Sequence, residues 1–106
     1  MRITLKNNQY RSVSIGHYPS YDERAKDSFI TGDIHICGHV HKKWKHCWDL
    51  TNAVLNINVG VDVWNYKLIS EEELIRYIDK VMNLIKTKQW NKVNRIKILD
   101  NKVIKV

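Results

Sequence analysis

Apolar and polar positions alternate with period two early in the chain and change to the helical period later. Over Tyr10–Ile15, Val13 and Ile15 alternate with Ser12 and Ser14, the mark of a strand with one face inward. With Arg2–Leu5 this segment predicts a hairpin about Lys6-Asn7-Asn8-Gln9. Asp33–Gly38 is a second strand, and Ala53–Val59 is a third that ends at Gly60. Between these, Asp22–Phe29 is polar and offers little to hold a long helix, while Lys42–Thr51 reads as an excursion rich in lysine and tryptophan. The period then lengthens. Leu74, Ile78, Val81 and Ile85, with Ile75 and Met82 beside them, make one stripe of a helix from Glu71 to about Lys86. Ser70 and Glu73 form a capping box, three acids occupy the positive end of the helix dipole, and lysines crowd the other end. Arg95–Leu99 and Lys102–Val106 return to period two about Asp100-Asn101, with Ile96, Ile98, Ile104 and Val106 on alternating positions. No repeat or linker separates these pieces. The pattern predicts one α/β domain over residues 1–106: a small mixed sheet, one long helix and a C-terminal β-hairpin.

Length and charge sharpen this. A chain of 106 residues is near the small end at which one apolar core suffices. No apolar run approaches a membrane span and the N-terminus has no signal-like apolar stretch, so a cytoplasmic protein without membrane contact is expected. In that compartment Cys37 and Cys47 are expected as thiols. Residues 1–79 balance ten Lys/Arg against ten Asp/Glu, whereas residues 80–106 carry eight Lys/Arg and the single acid Asp100, which is the whole net +7. Such a tail suits an acidic partner, either nucleic acid or an acidic protein face. Lys86, Lys88, Lys92, Arg95 and Lys97 are the candidate contact residues; the plainer reading is a solvated lysine face. No helix carries an evident set of base-reading side chains, so direct duplex binding is expected to be weak and non-specific.

The candidate chemistry lies in Asp33-Ile-His-Ile-Cys-Gly-His-Val-His41. If the strand runs through it, His35, Cys37, His39 and His41 share a face, and four soft or borderline donors suit a zinc-like ion. The alternative is a histidine-rich loop held by hydrogen bonds. Trp64 and Trp90 read as core-edge residues, while Trp44, framed by Lys42, Lys43 and Lys45, suits surface binding equally well. His46 and Cys47 have no spacing that ties them to the other histidines. Asp62 fits a turn cap or an acceptor that orients a ligand histidine.

Four patterns occur in order: Gly16-His17-Tyr18-Pro19, Gly38-His39-Val40-His41, Asn58-Val59-Gly60-Val61-Asp62, and Asn65-Tyr66 followed by Ile69-Ser70-Glu71-Glu72. Over roughly residues 10–80 this resembles the C-terminal half of a small calcineurin-like metallophosphoesterase. The resemblance implies half of that family's sandwich. It also implies His17 and His39 as ligands of one metal and His41 as ligand of a second, with a water held between the two ions. The family's Asp-x-His, Gly-Asp-x-x-Asp and Gly-Asn-His elements are missing, since Asp33-Ile-His35 lies inside the strand feeding Gly-His-x-His and Gly32-Asp33 has no downstream partner. Without the bridging carboxylate and the proton-donating histidine, the chain alone is not expected to turn over phosphoesters. It is expected to hold zinc, or manganese or another divalent ion, on His17, His39 and His41, with Cys37, water or an acid as the fourth ligand, and to depend on that ion for stability. In size and composition the chain is also similar to phage anti-CRISPR proteins. That similarity implies a non-enzymatic, metal-stapled module acting in a host cytoplasm. Its protein partner there would be a nucleic-acid-handling defence enzyme, such as a CRISPR effector nuclease, which it binds and inhibits. The alternative is one half of a split or degenerate metal-dependent phosphoesterase.

Overall fold

The strands predicted by period two do form, and they assemble around a parallel centre. The structure, a computed structural model, describes residues 2–4, 10–27 and 33–106. Its strands are β1 (Arg2–Thr4), β2 (Tyr10–Ile15), β3 (Ile34–Cys37), β4 (His46–Asp49), β5 (Val54–Asn58), β6 (Arg95–Leu99) and β7 (Lys102–Lys105). They form a mixed sheet in the order β1-β2-β3-β5-β4-β6-β7. β2, β3 and β5 are parallel; β4 runs against β5, β6 runs with β4, and β7 turns back along β6. The pairing of β1 with β2 is antiparallel, as the predicted hairpin requires, while its turn at Lys6–Gln9 lies outside the described residues.

Pairing register sorts the side chains to two faces. Val13, Ile34, Ile36, Leu55 and Ile57 form one face, and Leu74, Ile78 and Val81 of helix α1 (Glu71–Lys86) pack onto it. The helix has the predicted span and stripe. The Ser70 hydroxyl oxygen accepts the Glu73 amide at 3.1 Å, closing the first turn. The opposite face is polar yet buried: Ser14, His35, Asn56, Asn58 and Asp49 sit there beneath the loops that follow β2 and β3. Burying such groups is tolerable only if each finds a hydrogen-bond partner, and those partners shape the site described below.

One expectation is corrected. The Lys42–Thr51 excursion contains β4, which the pattern did not show because both its faces are covered. Cys47 and Asp49 are wholly buried on one face, while Trp48 packs with the core and His46 meets Tyr77 of α1 on the other. In the C-terminal hairpin, Asp100 and Asn101 adopt φ of 50° and 61°, the two-residue turn whose twist suits a hairpin. That turn sets Lys97 opposite Ile104 and Ile98 opposite Val103, so Val103 shares a face with Ile96 and Ile98 while Ile104 lies on the other. Among the described residues no helix is long and apolar enough to cross a membrane.

Candidate metal centre

The loops after β2, β3 and β5 meet at the carboxyl ends of three neighbouring parallel strands. Gly16 N–H donates to the Ile36 carbonyl at 2.9 Å, extending the β2–β3 pairing past the strand, and His39 N–H donates to the His17 carbonyl at 3.0 Å. The two backbones are therefore tied together where both histidines emerge. His17 Nε2 and His39 Nδ1 stand 3.2 Å apart. Tyr18 packs against both rings, at 4.6 and 4.7 Å between centroids.

Arg24 closes one side of this pair. Asp22 grips its guanidinium through Nε (2.9 Å) and Nη2 (2.7 Å), and the guanidinium lies 4.1 Å over the Tyr18 ring. Its Nη2 donates to His39 Nε2 at 3.3 Å. A guanidinium has only protons to offer, so His39 Nε2 is the acceptor and the ring proton sits on Nδ1, directed at His17. The Arg24 guanidinium also holds the Asp22 carboxyl below its ordinary value. Partial burial, then the charges of Arg24 and His17, hold the His39 ring below the ordinary histidine value. Neither Asp22 nor Arg24 was singled out from the sequence, although a carboxylate two residues before an arginine is a recognisable local pair.

The strand does not run through Gly38, so the expected four-residue face does not form. His35 and Cys37 stay on the buried polar face, and His39 and His41 sit in the turn that follows. Cys37 is 2% exposed and burial pushes its thiol up to about 12, so it is a core thiol that the structure does not bring to the histidines. His41, at φ 53°, is exposed and faces Asp62, with Nδ1 3.8 Å from Oδ2. Asp62 sits in the short 3-10 turn Val61–Val63, beside the His41 ring. Among the described residues no three His, Cys, Asp or Glu side chains gather as a ligand set.

Buried polar residues hold these loops. His35 Nε2 donates to the Tyr18 carbonyl at 2.8 Å, and its Nδ1 lies 2.8 Å from the Ser14 hydroxyl, so His35 fixes the turn that carries His17. Asn56 accepts the Ser20 amide at 2.8 Å, and the Ser20 hydroxyl donates to Asp49 at 2.9 Å. Asn58 donates to the carbonyls of His41 and Trp44 and accepts the Gly60 amide at 2.9 Å. A β-carbon at position 60 would stand 3.0 Å from the Asn58 side-chain oxygen and would press on the residue that holds this turn. Asn56 and Asn58 alternate inside an apolar strand, and that pattern is the sequence signal for this role.

His46 and Cys47 belong elsewhere. Cys47 is fully buried and its thiol is pushed up to about 12 by burial. His46 Nε2 accepts the Asn94 amide at 3.0 Å and its Nδ1 bonds the Tyr77 hydroxyl at 2.7 Å, joining β4, α1 and the approach to β6. Of the basic residues, Lys92 and Arg95 line one groove with Trp90, while Lys86, Lys88 and Lys97 are exposed. Trp64 donates its indole N–H to the Asn58 carbonyl at 2.7 Å and packs on Tyr77, an edge position as predicted.

Burial holds the His35 and His46 rings below the ordinary histidine value. The unfolded chain therefore binds protons near pH 6.5 that the folded chain refuses. Stability should be full above about pH 6.5 and fall as the pH drops through the folded values. The melting temperature at pH 5.5 should lie below that at pH 7.5, and His46→Gln should shallow the slope. Equal melting temperatures at the two pH values would show that both rings take up protons freely in the fold.

No protein-family model matches the chain, and comparison with curated proteins and with solved structures finds no match either.

Proposed function

We propose that this chain is the metal-binding C-terminal half of a calcineurin-like metal-dependent phosphoesterase. The supporting observation is the convergence of His17 Nε2 and His39 Nδ1, 3.2 Å apart, at the ends of adjacent parallel strands. Two nitrogens on a tetrahedral zinc-like ion, each about 2.05 Å from it, are themselves about 3.3 Å apart. An ion held there would take the place of the His39 Nδ1 proton that now bridges the two rings, and His41 with Asp62 lies on the next turn for a second. Bound there, the metal supplies Lewis acidity and a water of lowered pKa. The chain's own residues hold and orient. His35 fixes the His17 turn, Asn58 fixes the His41 turn, and Asp62 faces the His41 ring to orient it. The bridging carboxylate and the proton donor have no counterpart in these 106 residues, so they come from another polypeptide segment.

The first test is metal content. Protein purified without added metal should hold close to one divalent ion per chain, and His39→Ala should lose most of it, as read by elemental analysis. Retention unchanged in that variant moves the site away from these histidines. The isolated chain should not hydrolyse phosphomonoesters or cyclic diesters with zinc or manganese supplied; turnover should appear only with the complementary half.

A second reading is a metal-stapled module that binds and inhibits a nucleic-acid-handling enzyme. It is favoured by the exposure of Lys86, Lys88, Lys92 and Lys97. Inhibition of such an enzyme by the chain, lost on reversing three of these charges, supports it; complementation to an active phosphoesterase supports the first.

A further inference from the structure

Strand directions open a basic groove towards the end of the sheet that carries the paired histidines. β4 and β6 run opposite to β2, β3 and β5, so β4 starts at His46 beside Ile57, where the parallel strands finish, and β6 starts further down the sheet at Arg95, beside Trp48. β7 runs back in the same direction, and its Lys105 pairs with Ile96. There an open groove of about 440 Å³ is lined by Lys92, Arg95 and Lys105 with Trp90, Asn94 and His46. None of the residues lining it is acidic. Arg95 stands 5.5 Å over the Trp90 ring, which holds the guanidinium at the wall. Between groove and histidines lies the loop into β4, whose Lys45 stands 4.6 Å over Trp64 and whose Lys42 faces the exposed ring of Tyr66 at 5.9 Å.

Across the sheet, β6 is three strand spacings from β3 and four from β2, so groove and histidines are separated by at least about 14–19 Å at roughly 4.8 Å per strand. Cations and aromatic rings therefore alternate along one rim that starts at His17 and His39 and ends in the groove. A single phosphate or a mononucleotide cannot cover that distance. A flexible strand of phosphodiesters can, with its phosphates on the lysines and its bases on the rings.

We infer that this rim binds single-stranded nucleic acid, which makes an oligonucleotide the substrate class presented to the His17–His39 centre. The role given to the histidines rests on the phosphoesterase reading; the strand-binding rim does not. Recognition is by charge and stacking, so it is indifferent to sequence.

The test is fluorescence anisotropy of a labelled hexathymidylate with the full chain, in chelator, over a range of salt. The oligonucleotide should bind with an affinity that falls as salt rises, and thymidine monophosphate should compete at least a hundredfold more weakly. Lys92→Glu/Lys105→Glu changes two exposed side chains, so the fold should be kept, as a thermal melt checks. The variant should bind at least tenfold more weakly, with the salt slope reduced by about 1.4, or about 0.7 per lost phosphate contact. Lys45→Glu, midway along the rim, should weaken binding about threefold, the share of one phosphate contact in the tenfold loss of the double variant. Unchanged affinity and slope in the double variant overturns the inference, as does tenfold tighter binding of a duplex of the same length. If the groove variant loses the strand while His39→Ala keeps its metal, the rim stands and the phosphoesterase reading falls.

Discussion

Asn58→Ala should destabilise the protein by about 3 kcal/mol and loosen the turn that carries His39 and His41. The side chain is fully buried and makes three hydrogen bonds, to the His41 carbonyl at 2.7 Å, the Trp44 carbonyl at 2.8 Å and the Gly60 amide at 2.9 Å. Truncation leaves those backbone groups without partners in a place water does not reach, at about 1 kcal/mol or more each. Asn58→Asp keeps the acceptor for Gly60 but turns a carboxylate towards two carbonyls, so it should be no better than alanine. Urea denaturation measures both. A loss under 1 kcal/mol for alanine would mean that water replaces the side chain and that the loops hold themselves.

Leu55→Ala should cost about 3 kcal/mol through the opposite face. Leu55 is fully buried at the centre of the sheet, between Ile34 of β3 and Trp48 of β4, under the stripe of α1. At that size of effect the melting temperature should fall by roughly 12–20 °C. Far-ultraviolet circular dichroism below the transition should be unchanged. A drop of only a few degrees would show that the helix settles into the space left behind.

Much of this fold is legible because the residues that build it also set its period. The Glu71–Lys86 helix follows from an apolar stripe and a serine cap, and the C-terminal hairpin from Asp100-Asn101 between alternating strands. β4 is illegible for a physical reason. A strand covered on both faces has no polar side to alternate with, and its half-buried His46 and buried Asp49 have partners 31 and 29 positions away at Tyr77 and Ser20. The site divides in the same way. His17 and His39 are found by their motifs, and their strands bring them together. The grouping of His35 and Cys37 with His39 and His41 assumed a strand that continues past Gly38, and a glycine at the end of a parallel strand is where the chain turns away. Arg24 is hidden because its place depends on a tyrosine ring six positions back and a histidine fifteen ahead.

The sheet order also sets a timetable. The β6–β7 hairpin and the capped helix need only near neighbours in the chain, and such elements form within microseconds. The parallel pairs are different: Val13 must find Ile34, and Trp48 must find Arg95 across 47 residues. Closing those loops comes before any contact rewards it, so refolding should be governed by the central strands. His17 and His39 become neighbours only when β2 and β3 have paired. On the metal-binding reading proposed above, a divalent ion added to the unfolded chain would therefore meet scattered imidazoles at first, and would lower the rate of unfolding more than it speeds folding.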